Sequence, residues 1–171
     1  MSESEKNRQN IKRIAYTGVL AAFIFLGTLL HIPTGIGHVN LGDVVILVAS
    51  YILGPFAAIA AAIGSALADL AAGYPQYIIP TFLIKGIMGL VAGLIMKRNS
   101  ENKVPLLRKS IAAVIAELIM AAGYFGFESL PFMYGVTAAL GSVGPNFIQA
   151  AAAIVGAIPL TYVRFFDRIR I

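Results

Sequence analysis

Residues 41–73 run almost without a polar interruption, and this run limits the chain more than any other feature. As one helix, at about 1.5 Å per residue, it would be about 50 Å long, well beyond the roughly 30 Å hydrocarbon layer of a bilayer. Gly54-Pro55 breaks it. Gly is suited to close one helix there and Pro to open the next. The run therefore reads as a short span over 41–53 and another over 55–73. Apolar runs at 11–30, 80–97, about 109–128 and about 145–166 supply four more. Ser142-Val143-Gly144-Pro145 marks the start of the last, and Pro159 should kink it. No repeat or linker divides the chain, so residues 1–171 form one membrane domain, with about 1–10 as a polar tail.

Composition supports lipid as the solvent. Hydrophobic residues make up 58% of the chain and charged residues 12%, with a mean hydropathy of +0.83. A soluble domain carries about a quarter charged residues. The absence of cysteine excludes disulfides and thiolate metal sites. A net charge of +5 might suggest nucleic acid, but its distribution argues otherwise. Twelve of the thirteen Lys and Arg residues lie in three clusters, within residues 6–13, 97–109 and 164–170. Six spans put all three clusters on one side, whereas five would split them. The positive-inside rule thus predicts an all-α protein of six transmembrane helices with both termini cytoplasmic. The basic start followed by IAYTGVLAAFIFLGTLL reads as a retained span, because it is longer than a signal-peptide core and no small-residue cleavage site follows.

Charges inside spans need reasons, since each costs about 2.5–3.5 kcal/mol at the bilayer centre. Asp43, Asp69, Lys85 and Glu128 come from four spans yet share one depth near the outer end. Asn146 and Gln149 from the sixth span join them, with His31, His38 and Asn40 from the first outer connection. Tyr74, Tyr77, Tyr124 and Tyr134 lie near the same level. Together they predict a water-accessible pocket walled by apolar helices. Plainer readings exist for each. Asp43 and Asn40 could cap the second helix. Asp69 and Lys85 could pair with each other. The histidines lack metal-ligand spacing, and the tyrosines could form a headgroup belt. Glu117, deeper in the fifth span, is expected to be protonated or hydrogen-bonded. No metal or cofactor is expected.

Small residues form a second pattern. Gly64, Ala68 and Ala72 recur on the third span and Gly89 and Gly93 on the fourth, as helix-packing faces. Thr17, Gly18, Ala21 and Ala22 do the same on the first span, away from the pocket, where a partner helix could dock.

The ordered run NLGDVV, LGP, GSALADLAAGY and IKGIMGLVAG, within residues 40–93, resembles the substrate-binding S components of energy-coupling factor (ECF) vitamin transporters. The likeness extends over roughly residues 11–166. The branch it looks most like is associated with pyridoxine and hydroxymethylpyrimidine, with riboflavin-type members nearby. The resemblance implies one water-soluble vitamin bound with high affinity near the outer face. It also implies a transmembrane coupling subunit and two cytoplasmic ATPases as partners, and transport by toppling of the S component. The family's AxxxA motif on the first helix is broken here, because Val19 follows Ala15 by four residues; Thr17/Ala21 and Gly18/Ala22 stand nearest to it. The chain has no Walker motif and no recognisable Ser/His, HExxH or paired-acid arrangement, so no enzyme is expected. HIPTGIGHVN is the candidate lid. The rival readings are a riboflavin- or other vitamin-specific S component, a non-transport membrane scaffold, and a proton-coupled carrier using Glu117 or Asp69.

Overall fold

The computed structural model describes residues 3–33, 38–97 and 104–169. Helix α1 (Glu3–Leu29) is followed by strands β1 (His31–Pro33) and β2 (His38–Asn40), then α2 (Gly42–Leu53). A short 3-10 turn over Gly54–Phe56 leads into α3 (Ala57–Ala71), and a second over Pro75–Tyr77 into α4 (Ile78–Ile95). Helices α5 (Leu106–Glu128), α6 (Gly135–Leu160) and α7 (Arg164–Ile169) complete the order. Among the described residues, five stretches are long and apolar enough to cross a membrane, one of them the combined run Gly42–Ala71.

That combined run is folded back on itself. Gly27 of α1 sits against Leu41, Gly42 and Val45, whereas the Arg13 guanidinium lies 5.1 Å from the ring centroid of Phe56. Helix α2 therefore runs back along α1 from the β-hairpin end to the Gly54 end. Gly64 packs on Ala21 and Ile24, so α3 returns in the direction of α1. The reversal is made by Gly54, at φ +57°, with Pro55 opening the next turn. That φ is accessible to Gly and strained for most other residues. Gly93 of α4 packs so closely on this turn that a Cβ there would stand 2.1 Å from the Gly54 carbonyl oxygen.

Helix α2 is the hub. Ten of its residues are buried, including the continuous run Ile46–Leu53, so it is apolar all round and enclosed by its neighbours. The surrounding helices instead turn large apolar side chains outward, among them Phe23, Ile59, Leu67, Phe82, Leu118 and Val155. An apolar exterior around an apolar core is stable when lipid, rather than water, covers it. At the Gly54 end, the ammonium of Lys109 lies 3.7 Å from the Tyr162 ring centroid and 4.7 Å from that of Tyr51. Tyr51 also donates a hydrogen bond to Asp167, which ties α7 to α2.

Three boundaries differ from the sequence reading. The polar tail is helical from Glu3 and continuous with α1, its residues 3–10 all exposed. The connection 31–40 contains an antiparallel ribbon, with His31 opposite Asn40 and Pro33 opposite His38. The middle of the candidate lid, residues 34–37, lies outside the described residues. Helix α6 begins at Gly135, ten residues before Pro145, and ends at Leu160 rather than 166. Pro145 lies inside it, not at its start. The segment 135–144 is apolar and small, and Ala139, Ser142 and Gln149 form one buried face through the proline. Packing of that face outweighs the backbone hydrogen bond lost at Pro145.

Candidate functional site

Near the β-hairpin end, polar side chains from β2, α2, α4 and α6 meet. Asp43, in the first turn of α2, is fully buried. Its Oδ1 accepts from Lys85 Nζ at 2.5 Å, and its Oδ2 accepts from Gln149 Nε2 at 2.5 Å. Gln149 Oε1 in turn accepts from the Asn40 N–H at 2.8 Å, and Asn40 Oδ1 accepts from the Gly42 N–H at 2.9 Å. This chain of bonds gives both Asp43 oxygens a donor, as a buried carboxylate requires. It also links the hairpin to three helices.

An aromatic wall adjoins it. The Lys85 ammonium lies 5.4 Å from the Tyr124 ring centroid, and the Tyr124 hydroxyl shares a 2.9 Å hydrogen bond with Thr81 Oγ1. Tyr77 contacts Tyr74, Tyr124 and Phe127, with centroids 6.5, 6.3 and 5.5 Å away, in edge-on or tilted geometry. Its hydroxyl donates to Glu128 Oε1 at 3.1 Å. Asp69, near the end of α3, has Thr81 and Lys85 as polar neighbours. Glu117 is buried deeper, within electrostatic reach of Asp43 and Lys85.

Most residues singled out from sequence thus come to one end of the bundle, but two pairings differ. Lys85 pairs with Asp43, not Asp69. Helix α2 lies at the centre of the bundle and presents Asp43 to α4, and the sequence does not reveal which acid the lysine meets. Nor does Asp43 cap its helix, since Leu41 is the N-cap residue and both Asp43 oxygens turn inward, to Lys85 and Gln149. Asn40 supplies the bond to Gly42 instead. Glu117 has no hydrogen-bond partner on either oxygen among the described residues. Asn146 lies one turn before Gln149, its Nδ2 buried. His38 holds a strand position opposite Pro33, and its side chain lies outside the described residues. Thr81 was missed, although it stands four residues before Lys85 and so on the same face of α4. Among the described residues, no trio of His, Asp and Glu is gathered to hold a metal.

The proposed docking stripe divides. Ala21 turns its backbone towards Gly64 of α3, whereas Gly18 and Ala22 stay on the exposed face of α1. A groove of about 390 Å³ beside it is lined by Asn10, Arg13, Ile14, Thr17, Phe56 and Ile59.

Fold and site define a multi-pass membrane protein that shelters a convergent polar and aromatic cluster inside an apolar bundle. The profile of the family described as ECF-type riboflavin transporter, S component, matches residues 8–163, and the chain belongs to that family. It is 30% identical over 154 residues to the thiamine precursor transporter HmpT of Lactococcus lactis subsp. cremoris, covering 87% of this chain and 85% of that one. It is also 30% identical over 125 residues to an uncharacterised protein of the gap 3′ region of Pyrococcus woesei, covering 72% of this chain and 80% of that protein.

Proposed function

We propose that this chain is the substrate-binding subunit of an ATP-driven importer for a water-soluble vitamin or vitamin precursor, with hydroxymethylpyrimidine or pyridoxine as the substrate. The carrying observation is the network of Asn40, Asp43, Lys85 and Gln149 beside the Tyr77–Tyr124 wall. Polar groups of this kind orient a small heteroaromatic ring, and tyrosines provide faces and edges to pack on it. The likeness to HmpT, named for a thiamine precursor, favours the pyrimidine. The family's description favours riboflavin as the second reading.

In this reading α1 to α6 cross the membrane six times, because α2 and α3 form a hairpin. Both termini and the basic 97–109 connection are cytoplasmic, and the β-hairpin end is outside. The exposed Gly18–Ala22 face of α1 meets a transmembrane coupling subunit that carries two ATPases. The protein has no catalytic role of its own.

Release of bound material tests the proposal. Protein purified gently in detergent is denatured and any small molecule identified by mass spectrometry. A stoichiometric vitamin, reduced in Asp69→Asn and Lys85→Ala, is expected. If nothing is released and no vitamin stabilises the protein thermally, a membrane scaffold becomes the better reading.

A further inference from the structure

The hydrogen-bonding capacity left over at the site has a sign. Three carboxyl groups, Asp43, Asp69 and Glu128, are buried on the helices here, with Glu117 deeper, against one ammonium at this end among the described residues, that of Lys85. That ammonium is already engaged by Asp43 and lies against the Tyr124 ring. Several other donors are also committed. The Gln149 amide gives to Asp43, the Tyr77 hydroxyl gives to Glu128, and Thr81 and Tyr124 share one bond. The open groups include one amide donor, Asn146 Nδ2, but the charged ones are carboxyl acceptors. Asp69 Oδ2 and Glu128 Oε2 have no hydrogen-bond partner among the described residues, although these side chains belong to residues only 5% and 3% exposed. They are joined through one wall, since Asp69 neighbours Thr81, Thr81 bonds Tyr124, Tyr124 packs on Tyr77, and Tyr77 bonds Glu128.

A buried carboxylate oxygen without a donor is costly, and a ligand N–H or O–H removes that cost. An anionic ligand would instead add like charge in a poorly screened place. Resting on the vitamin-binding reading, we propose that the site takes a neutral or cationic ring bearing amino or hydroxyl donors and rejects its phosphorylated counterpart. Asp69 and Glu128 are the specificity-determining residues that read those donors.

The test measures equilibrium binding to the purified full-length protein, freed of ligand. Probes are hydroxymethylpyrimidine, pyridoxine and riboflavin, each beside its phosphate ester and the uncharged acetate ester of the same hydroxyl. For whichever parent binds, the phosphate ester should bind about 100-fold or more weakly. The acetate ester should outbind the phosphate by at least about tenfold, which separates charge from bulk. Asp69→Asn and Glu128→Gln, near-isosteric changes, should each weaken the parent by about tenfold or more and narrow the discrimination. Phosphate binding within about threefold of the parent, or equal binding of the two esters, overturns the inference and leaves the vitamin reading standing. So do folded variants that keep both affinity and discrimination. If no parent binds, both fail together. The comparison of esters on the unaltered chain does not depend on either variant folding.

Discussion

The Lys85 ammonium and the Asp43 carboxylate stand 2.5 Å apart, and both side chains are buried. Removing one partner leaves the other buried and uncompensated, which costs about 3–5 kcal/mol. Lys85→Met and Asp43→Asn should each lower stability by about that amount. The double variant should cost clearly less than the sum, since the two share one interaction. Thermal unfolding of the four proteins in detergent checks this; strict additivity would mean that the pair is not coupled. The polar members of the cluster were legible in sequence, because Asp43, Asp69, Lys85 and Glu128 all interrupt apolar spans at one depth. Their pairing was not. Asp43 and Asp69 are both acids near one end of neighbouring helices, and only the central position of α2 decides which one meets Lys85.

Among the elements, the turn between α2 and α3 and its contact with α4 control how closely the helices can pack. A Cβ at Gly93 would stand 2.1 Å from the Gly54 carbonyl oxygen and 2.8 Å from the Pro55 nitrogen, both of them backbone atoms that cannot rotate aside. Gly93→Ala should therefore push α4 from the turn and destabilise the protein by about 1–3 kcal/mol. Gly18 is the contrast. It sits in mid-helix with nothing within 4 Å of its missing Cβ, so Gly18→Ala should be neutral or stabilise by up to about 1 kcal/mol. Side-by-side melting curves of the two variants test the difference. If Gly18 meets a partner helix, Gly18→Leu should keep the isolated protein's melting temperature yet weaken assembly with the coupling subunit. Normal co-purification of that subunit with Gly18→Leu would remove Gly18 from the docking face. The small-residue stripes at Gly64, Gly89 and Gly93 were readable as packing faces from spacing alone. The start of α6 was not, because Pro145 has the sequence signature of a helix opening. Only the buried face from Ala139 to Gln149 shows that the helix runs through it.

At the scale of the whole molecule, the question is how often the chain crosses the bilayer. Length and apolarity alone give five candidate stretches, since Gly42–Ala71 is continuous by that measure. The contacts of Gly27 with Gly42, of Arg13 with Phe56, and of Gly64 with Ala21 require it to run down and back. Helix α2 has 12 residues and so spans only about 18 Å, short for a lipid-facing crossing. It is enclosed by other helices, so its ends need not reach the headgroups by themselves. The distribution of basic residues favours six crossings, since that count would put all three basic clusters on one side. The cysteine-free sequence makes this directly measurable. Single cysteines replacing Asn7 and Arg168 should react with an impermeant maleimide only after the membrane is opened. Cysteines replacing Gln76 and Phe132 should react in intact cells. Opposite labelling of Asn7→Cys and Arg168→Cys would require an odd number of crossings. Folded back on each other, α2 and α3 contribute two crossings or none, so an odd count would mean that another helix fails to cross or that Gly42–Ala71 is not folded back.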